Sequence, residues 1–216
     1  MFLSDKTYES LSNSALKLVS TSTLKSLNEA ILFPLRRRYL AQILTPHLKT
    51  SKSVLDLGAS DGKLAALLQN KLASQNVNTN FIGCDVYLQP ETYIPIIKYD
   101  GYHLPFSDNS FDCVLIVDVL HHTEAALQVI QEAKRVASQY VLIKDHYWDT
   151  PKDFTSLKFA DFIGNKPYEI HLPYQFLTEQ NWYKILKNCQ LNVVASQKFR
   201  FNLLDPCKHI LFKLEV

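Results

Sequence analysis

Val54-Leu55-Asp56-Leu57-Gly58-Ala59-Ser60-Asp61-Gly62 is the stretch on which the reading of this chain turns. An apolar run meets an acidic residue, two glycines frame a short turn, and Lys63–Leu72 continues with helical spacing. The chain has only five glycines in 216 residues, against an average of about 7%. Four of them, Gly58, Gly62, Gly83 and Gly101, fall within 44 residues. Glycine is needed where φ is positive or where backbone must approach something closely. The stretch from 58 to 101 is therefore the first place to seek a site.

Outward from that turn the pattern alternates. Strand-like runs are Ser53–Leu57, Asn80–Cys84, Ile94–Tyr99, Phe111–Val117 and Tyr140–Lys144, with helical patterns clearest at Lys63–Leu72 and Glu124–Val136. Cys113–Val117 and Val141–Ile143 are continuous apolar runs, the mark of parallel strands buried on both faces. This order predicts an α/β fold with a mostly parallel sheet and right-handed crossovers. Thr178 can cap a helix to about Asn188. The runs Leu191–Phe201 and His209–Val216 are joined too closely for a parallel crossover, so one strand near the end is antiparallel.

Residues 1–50 read as a helical cap ahead of a main domain at 51–216. Leu24, Leu27, Ile31 and Leu35 are spaced for one helical face. Pro34 is expected to divide the segment and open a second helix to about Leu44, which Pro46 ends. This region is +4, from seven basic and three acidic residues, and the remainder is −2. The run Arg36-Arg37-Arg38 is either a solvated face or a phosphate-contacting patch.

In a sheet of this kind ligands bind beyond the carboxyl ends of the strands. Acidic residues gather there: Asp56, Asp85, Asp100, Asp118 and Asp145 each lie at or near a strand end. His121 and His122 follow the fourth strand, and His146 the fifth.

The 54–62 stretch resembles the first motif of class I S-adenosylmethionine-dependent methyltransferases, with Ser60 where the middle glycine usually stands. The block from Asp100 to His122, with Leu-Pro-Phe, Ser-Phe-Asp and Val-Leu-His-His, resembles the region around the third and fourth strands in the small-molecule, methyltransferase-11-like branch. Glu132, Arg135 and Val136 fit the helix that follows there. The resemblance implies a Rossmann-like, seven-stranded, mostly parallel sheet with one antiparallel strand and helices on both faces. It implies S-adenosyl-L-methionine as cofactor, held by Asp56, Gly58, Ala59, Ser60 and Gly62 in the first turn. Asp85 and Val86 would meet the ribose, Asp100 and Gly101 the adenine, and Asp118 and Val119 the methionine moiety.

The chemistry suits such a ligand. It carries a sulfonium, an ammonium and a ribose diol but no phosphate, so acceptors and carboxylates are wanted. The cofactor supplies the electrophile, and the protein positions an acceptor. A base helps if the acceptor is a hydroxyl or an acidic carbon. Candidates are His146, His121, His122 and Asp145, with His146 preferred. Residues 147–177 hold eight aromatics in 31 positions, against 12% overall, either as a lid over an apolar small molecule or as packing for the insertion.

Other readings stay open. Gly58-Ala59-Ser60-Asp61-Gly62 also fits the nucleophile elbow of an α/β-hydrolase using Ser60. A nicotinamide enzyme expects Gly-x-Gly-x-x-Gly, which is absent. A catalytically degenerate cofactor- or partner-binding protein of the same fold is the third. Near-neutral charge, 23 basic and 21 acidic residues, argues against nucleic acid as partner. Cys84, Cys113, Cys189 and Cys207 form no CxxC pair, which predicts reduced thiols and no metal site. No apolar run is long enough to span a bilayer, and no secretory signal is visible, so the expected address is the cytoplasm. The acceptor molecule and the oligomeric state are not legible in the sequence.

Overall fold

A computed structural model describes residues 21–165, 168, 172–203 and 205–216. The helical reading of residues 1–20 lies outside these. Helix α1 (Thr21–Leu27) runs through a π-helical turn, Asn28–Leu32, straight into α2 (Phe33–Leu48). Pro34 does stand in the first turn of the second α-helix, as expected, but a π-helical turn rather than a break joins that helix to the first. The π turn ahead of it breaks the usual i−4 pattern, where a proline ring would otherwise clash. Pro46 does not end α2 either; it sits inside the helix, which runs on to Leu48.

The predicted apolar face also differs. Leu27, Ile31 and Leu35 are about half exposed, whereas Leu40, Ala41, Leu44 and Leu48 are buried. They pack with Ala65, Leu68 and Leu72 of α3 (Lys63–Ala73).

The strands are β1 (Ser53–Leu57), β2 (Asn80–Asp85), β3 (Ile96–Lys98), β4 (Phe111–Val117), β5 (Ala137–Trp148), β6 (Leu177–Thr178), β7 (Asn192–Phe199) and β8 (His209–Glu215). Their order is β3-β2-β1-β4-β5-β8-β7. Strands β1 to β5 pair in parallel, and β8 lies antiparallel between β5 and β7. The two-residue β6, which the sequence did not announce, pairs with β5 alone.

Helices α4 (Ala126–Val136) and α6 (Glu179–Asn188) cover one face with Leu55, Leu57, Val114 and Ile116. Helices α2 and α3 cover the other with Val54, Cys113, Leu115 and Leu142. Alternate side chains of β1 and β4 thus enter opposite cores, which is why these strands read as unbroken apolar runs. Thr178 caps α6 by accepting the Asn181 N–H at 3.2 Å. All four cysteines are buried and free. Among the described residues, no helix is long and apolar enough to cross a membrane.

Strand β5 is longer than predicted, so Asp145, His146, Tyr147 and Trp148 lie inside it. The 147–177 segment then carries α5 (Pro151–Asn165).

Candidate functional site

The carboxyl ends of β1, β2 and β4 meet at the 58–62 turn. Gly58 and Gly62 both have positive φ, +79° and +76°. A Cβ on Gly58 would collide with the Val119 side chain, so a larger residue there would have to displace the loop after β4. Ser60 takes φ +53°, the left-handed conformation a glycine would adopt there at no cost. The serine therefore preserves the turn despite departing from the motif.

Asp85 ties that turn to β2. Its Oδ2 accepts the Ser60 N–H at 2.8 Å and its Oδ1 the Tyr87 N–H at 3.0 Å. Each carboxylate oxygen keeps a further lone pair. Asp100 is exposed and accepts the Tyr102 and His103 N–H groups, both at 2.7 Å, which hold its carboxyl down at about 2. Gly101 follows with φ +89°. Val86 borders the same edge, and Ala59 is buried. Asp56 is buried on the α2/α3 face. Burial first, then repulsion from Asp85, pushes its carboxyl up to about 7.

A second cluster lies where β4 and β5 end. Asp118, also left-handed at φ +57°, receives Arg36 Nη2 of α2 at 2.6 Å and Lys144 Nζ at 2.5 Å. Burial raises the Asp118 carboxyl, but Arg36 and Lys144 outweigh it and hold it well below the usual carboxylate range. Lys144 is fully buried, and that burial pushes its ammonium down to about 8 against the pull of Asp118.

Asp145 leaves β5 on the face opposite Lys144. It accepts the Leu120 N–H at 3.1 Å, the His146 N–H at 2.7 Å and His121 Nδ1 at 2.5 Å. Burial lowers the His121 imidazole, yet Asp145 and Asp161 outweigh it and raise the group to about 10. His146 goes the other way: burial, then Lys144, pushes it down to about 4. Its Nδ1 lies 3.4 Å from both Asp118 Oδ1 and Asp145 Oδ1 without forming a hydrogen bond. The two neighbouring imidazoles are thus pushed in opposite directions, His121 toward the charged form and His146 toward the neutral one.

The aromatic insertion roofs this cluster. Phe176 stacks on His121 at 5.1 Å and meets His146 edge-on at 5.9 Å. Trp148 Nε1 and Trp182 Nε1 donate to the Phe176 and His146 carbonyls, both at 2.9 Å. His122 keeps a side-chain exposure of 21%, the largest of the three clustered histidines.

The sequence-predicted residues thus fall into two neighbouring groups. Asp56, the 58–62 turn, Asp85 and Val119 converge, with Val86, Asp100 and Gly101 along one edge. His121, His122, Asp145 and His146 gather around the end of β5. Ser60 is fixed through its backbone to Asp85, whereas His121 and His146 gather on Asp145 and His122 faces Asp161, so the structure gives the hydrolase elbow no paired base beside Ser60 among the described residues. Sequence reasoning missed Lys144, Asp161 and the role of Arg36. An ionisable residue at the end of the apolar run Val141–Ile143 was the one available signal for Lys144. Glu132 and Arg135 turn out to clasp the loop after β3: Arg135 reaches the Leu104 and Phe106 carbonyls, and Glu132 accepts the Leu104 N–H at 2.9 Å.

Residues 55–140 match the family described as "Methyltransferase domain". No curated protein matches the chain by sequence. Among solved structures, the chain is similar to the 1,6-didemethyltoxoflavin-N1-methyltransferase of Burkholderia thailandensis, solved with 1,6-didemethyltoxoflavin and S-adenosylhomocysteine. That match has 14% identity and a TM-score of 0.63, covering 94% of this chain and 89% of that one. A SAM-dependent methyltransferase from Aquifex aeolicus matches at 19% identity and TM-score 0.58, covering 91% and 99%. A methyltransferase complexed with the Trm112 activator of Haloferax volcanii matches at 11% identity and TM-score 0.62, covering 90% and 93%. The domain match and the shared fold support the resemblance read from the sequence, that of a class I S-adenosylmethionine-dependent methyltransferase.

Proposed function

We propose that this class I methyltransferase fold binds S-adenosyl-L-methionine and transfers its methyl group to a small, partly apolar acceptor. The observation that carries the reading is the joint between the 58–62 turn and Asp85. Two backbone N–H groups orient the Asp85 carboxylate and leave both oxygens able to accept the ribose hydroxyls. The lysine at this turn, Lys63, is already paired with Asp61 at 2.6 Å, which suits a cofactor without phosphate. Asp56 would meet the cationic methionine end, Val86, Asp100 and Gly101 the adenine side, and Asp118 and Val119 the methionine chain.

Methyl transfer is an in-line displacement: the acceptor atom bonds to the methyl carbon, and the sulfur leaves with the electron pair as S-adenosylhomocysteine. The protein mainly aligns the two partners. The cluster of His121, His122, Asp145 and His146 supplies proton handling on the acceptor side. Uncharged His146 has a lone pair for it, and Phe176 and Trp148 provide the apolar wall.

The test is calorimetric titration with S-adenosylhomocysteine, followed by labelled methyl transfer to a panel of small hydroxyl-bearing acceptors. Saturable binding is expected, weakened at least about tenfold in Asp85→Ala, since hydrogen bonds to a charged group contribute about 1.5–3 kcal/mol each. Absence of binding by the native chain overturns the reading.

Asp56 gives a pH signature. Its folded-state value, about 7, lies above the unfolded 3.8. The proton is therefore held more tightly in the folded chain, and the stability it confers is present below 3.8 and lost as pH rises through 7. A bound ammonium favours the carboxylate instead. Affinity for S-adenosylhomocysteine should rise up to about tenfold from pH 6 to pH 8, and this rise should vanish in Asp56→Asn. A pH-independent dissociation constant for the native chain removes Asp56 from the methionine end.

A further inference from the structure

The loop after β4 and helix α5 face each other across His121, His122 and Asp161. His121 Nε2 and His122 Nε2 each lie 3.7 Å from Asp161 Oδ1. The two imidazole centroids are 4.1 Å apart, and one donor atom from each of the three residues lies within 4.8 Å of the others. His121 is oriented from behind: its Nδ1 is tied to Asp145 at 2.5 Å. That contact directs Nε2 toward Asp161, as carboxylate–histidine pairs do around bound metals, and metal uptake would release the Nε2 proton to solvent.

Asp161 adds an independent sign. Its side chain is 6% exposed. One oxygen takes Asn165 Nδ2 at 2.6 Å, while the other, Oδ2, is buried with no hydrogen-bond partner. A buried carboxylate oxygen left unpaired is costly; the spacings to the histidines run to Oδ1, so a cation would satisfy Oδ2 by binding both oxygens of Asp161.

We infer that His121, His122 and Asp161 form a binding site for a divalent transition cation, with Asp145 as its outer partner. Two imidazole nitrogens and a carboxylate are a donor set suited to zinc, iron(II) or cobalt(II). Bonds of about 2.0–2.2 Å place two donors on one ion at most about 4 Å apart, and the 3.7 Å spacings fall within that limit. The neighbouring set of Asp118, Asp145 and His146 is less suited, because Lys144 and Arg36 already neutralise Asp118. Resting on the methyltransferase reading, the cation would hold an acceptor hydroxyl and lower its pKa, which assigns the acceptor to hydroxyl-bearing molecules.

The experiment uses the full chain after chelation and dialysis. Cobalt(II) is titrated by visible absorption and zinc by calorimetry, for the native chain, His122→Ala and Asp161→Asn, with circular dichroism reporting the fold. One equivalent is expected for the native chain, with affinity weakened at least tenfold in each variant. No saturable uptake by the native chain overturns the inference whatever the variants do, and so does equal uptake in folded variants. Titration of the same native sample with S-adenosylhomocysteine separates the two proposals. Cofactor bound without metal sinks only the metal site, whereas metal bound without cofactor sinks the methyltransferase reading and its hydroxyl acceptor.

Discussion

Asp118→Asn should lower the stability of the fold by about 3–5 kcal/mol, the usual cost of stripping one partner from a buried ion pair. Asparagine keeps the shape and tolerates the left-handed backbone at this position, so the change isolates the charge. Lys144 would then be a fully buried ammonium without its carboxylate at 2.5 Å. Arg36 would lose its anchor as well. For a chain of this size the melting temperature should fall by about 6–20 °C. The pH dependence has a definite sign. Lys144 already sits at about 8 in the folded chain, below its ordinary 10.5, so its contribution is full above 10.5 and lost as pH falls through 8. Without Asp118 that window extends lower, and the variant should lose more at pH 6 than at pH 9. The decisive comparison is Asp118→Asn with Lys144→Met. If the pair is coupled, the double variant recovers more than half of the single loss. Additive losses, or a single variant within 1 kcal/mol of the native chain, would remove the pair from the account.

Asp145→Asn should change the shape of the stability profile as well as its height. The carboxylate takes three hydrogen bonds, from Leu120, His146 and His121, and an amide has only one oxygen to meet them. At pH 7 the loss should be about 2–4 kcal/mol. His121 is raised from 6.5 to about 10 in the folded chain. Its contribution is therefore complete below 6.5 and drains away as pH rises through 10, by up to about 1.4 kcal/mol per pH unit. In the variant this slope should largely flatten, and the His121 ring should titrate several units lower by NMR. An unchanged slope between pH 7 and 10 would show that Asp145 does not hold the proton on His121.

The two groups of residues were unequally legible in the sequence. The turn at 58–62 announces itself because most of its constraints are local: the positive φ of Gly58 and Gly62 and the helix that follows act within a few residues, and only the close approach of Val119 is remote. Asp85, Asp100 and the Thr178 cap were readable for the same reason, since strand ends and caps carry their own chemistry. The extent of β5 was not, because its polar end from Lys144 to His146 looks like a loop until partners are known. Those partners are remote in sequence. Lys144 meets Asp118 across 26 positions, and Arg36 meets Asp118 across 82. Leu27, Ile31 and Leu35 misled for a related reason: the periodicity is helical, but the buried side of α2 is set by what α3 and the sheet present.

Strand β8 has a consequence for how this chain emerges from the ribosome. It is the last of the described strands to be synthesised, yet its slot lies between β5 and β7. Until residues 209–215 leave the exit tunnel, the facing edges of those two strands have no partner. The nascent sheet thus waits with an open seam one strand in from its β7 edge, and β8 must enter between strands already made. Such late, non-local pairing slows folding and leaves edges exposed to other chains. The seam is where a chaperone would have most to shield during translation.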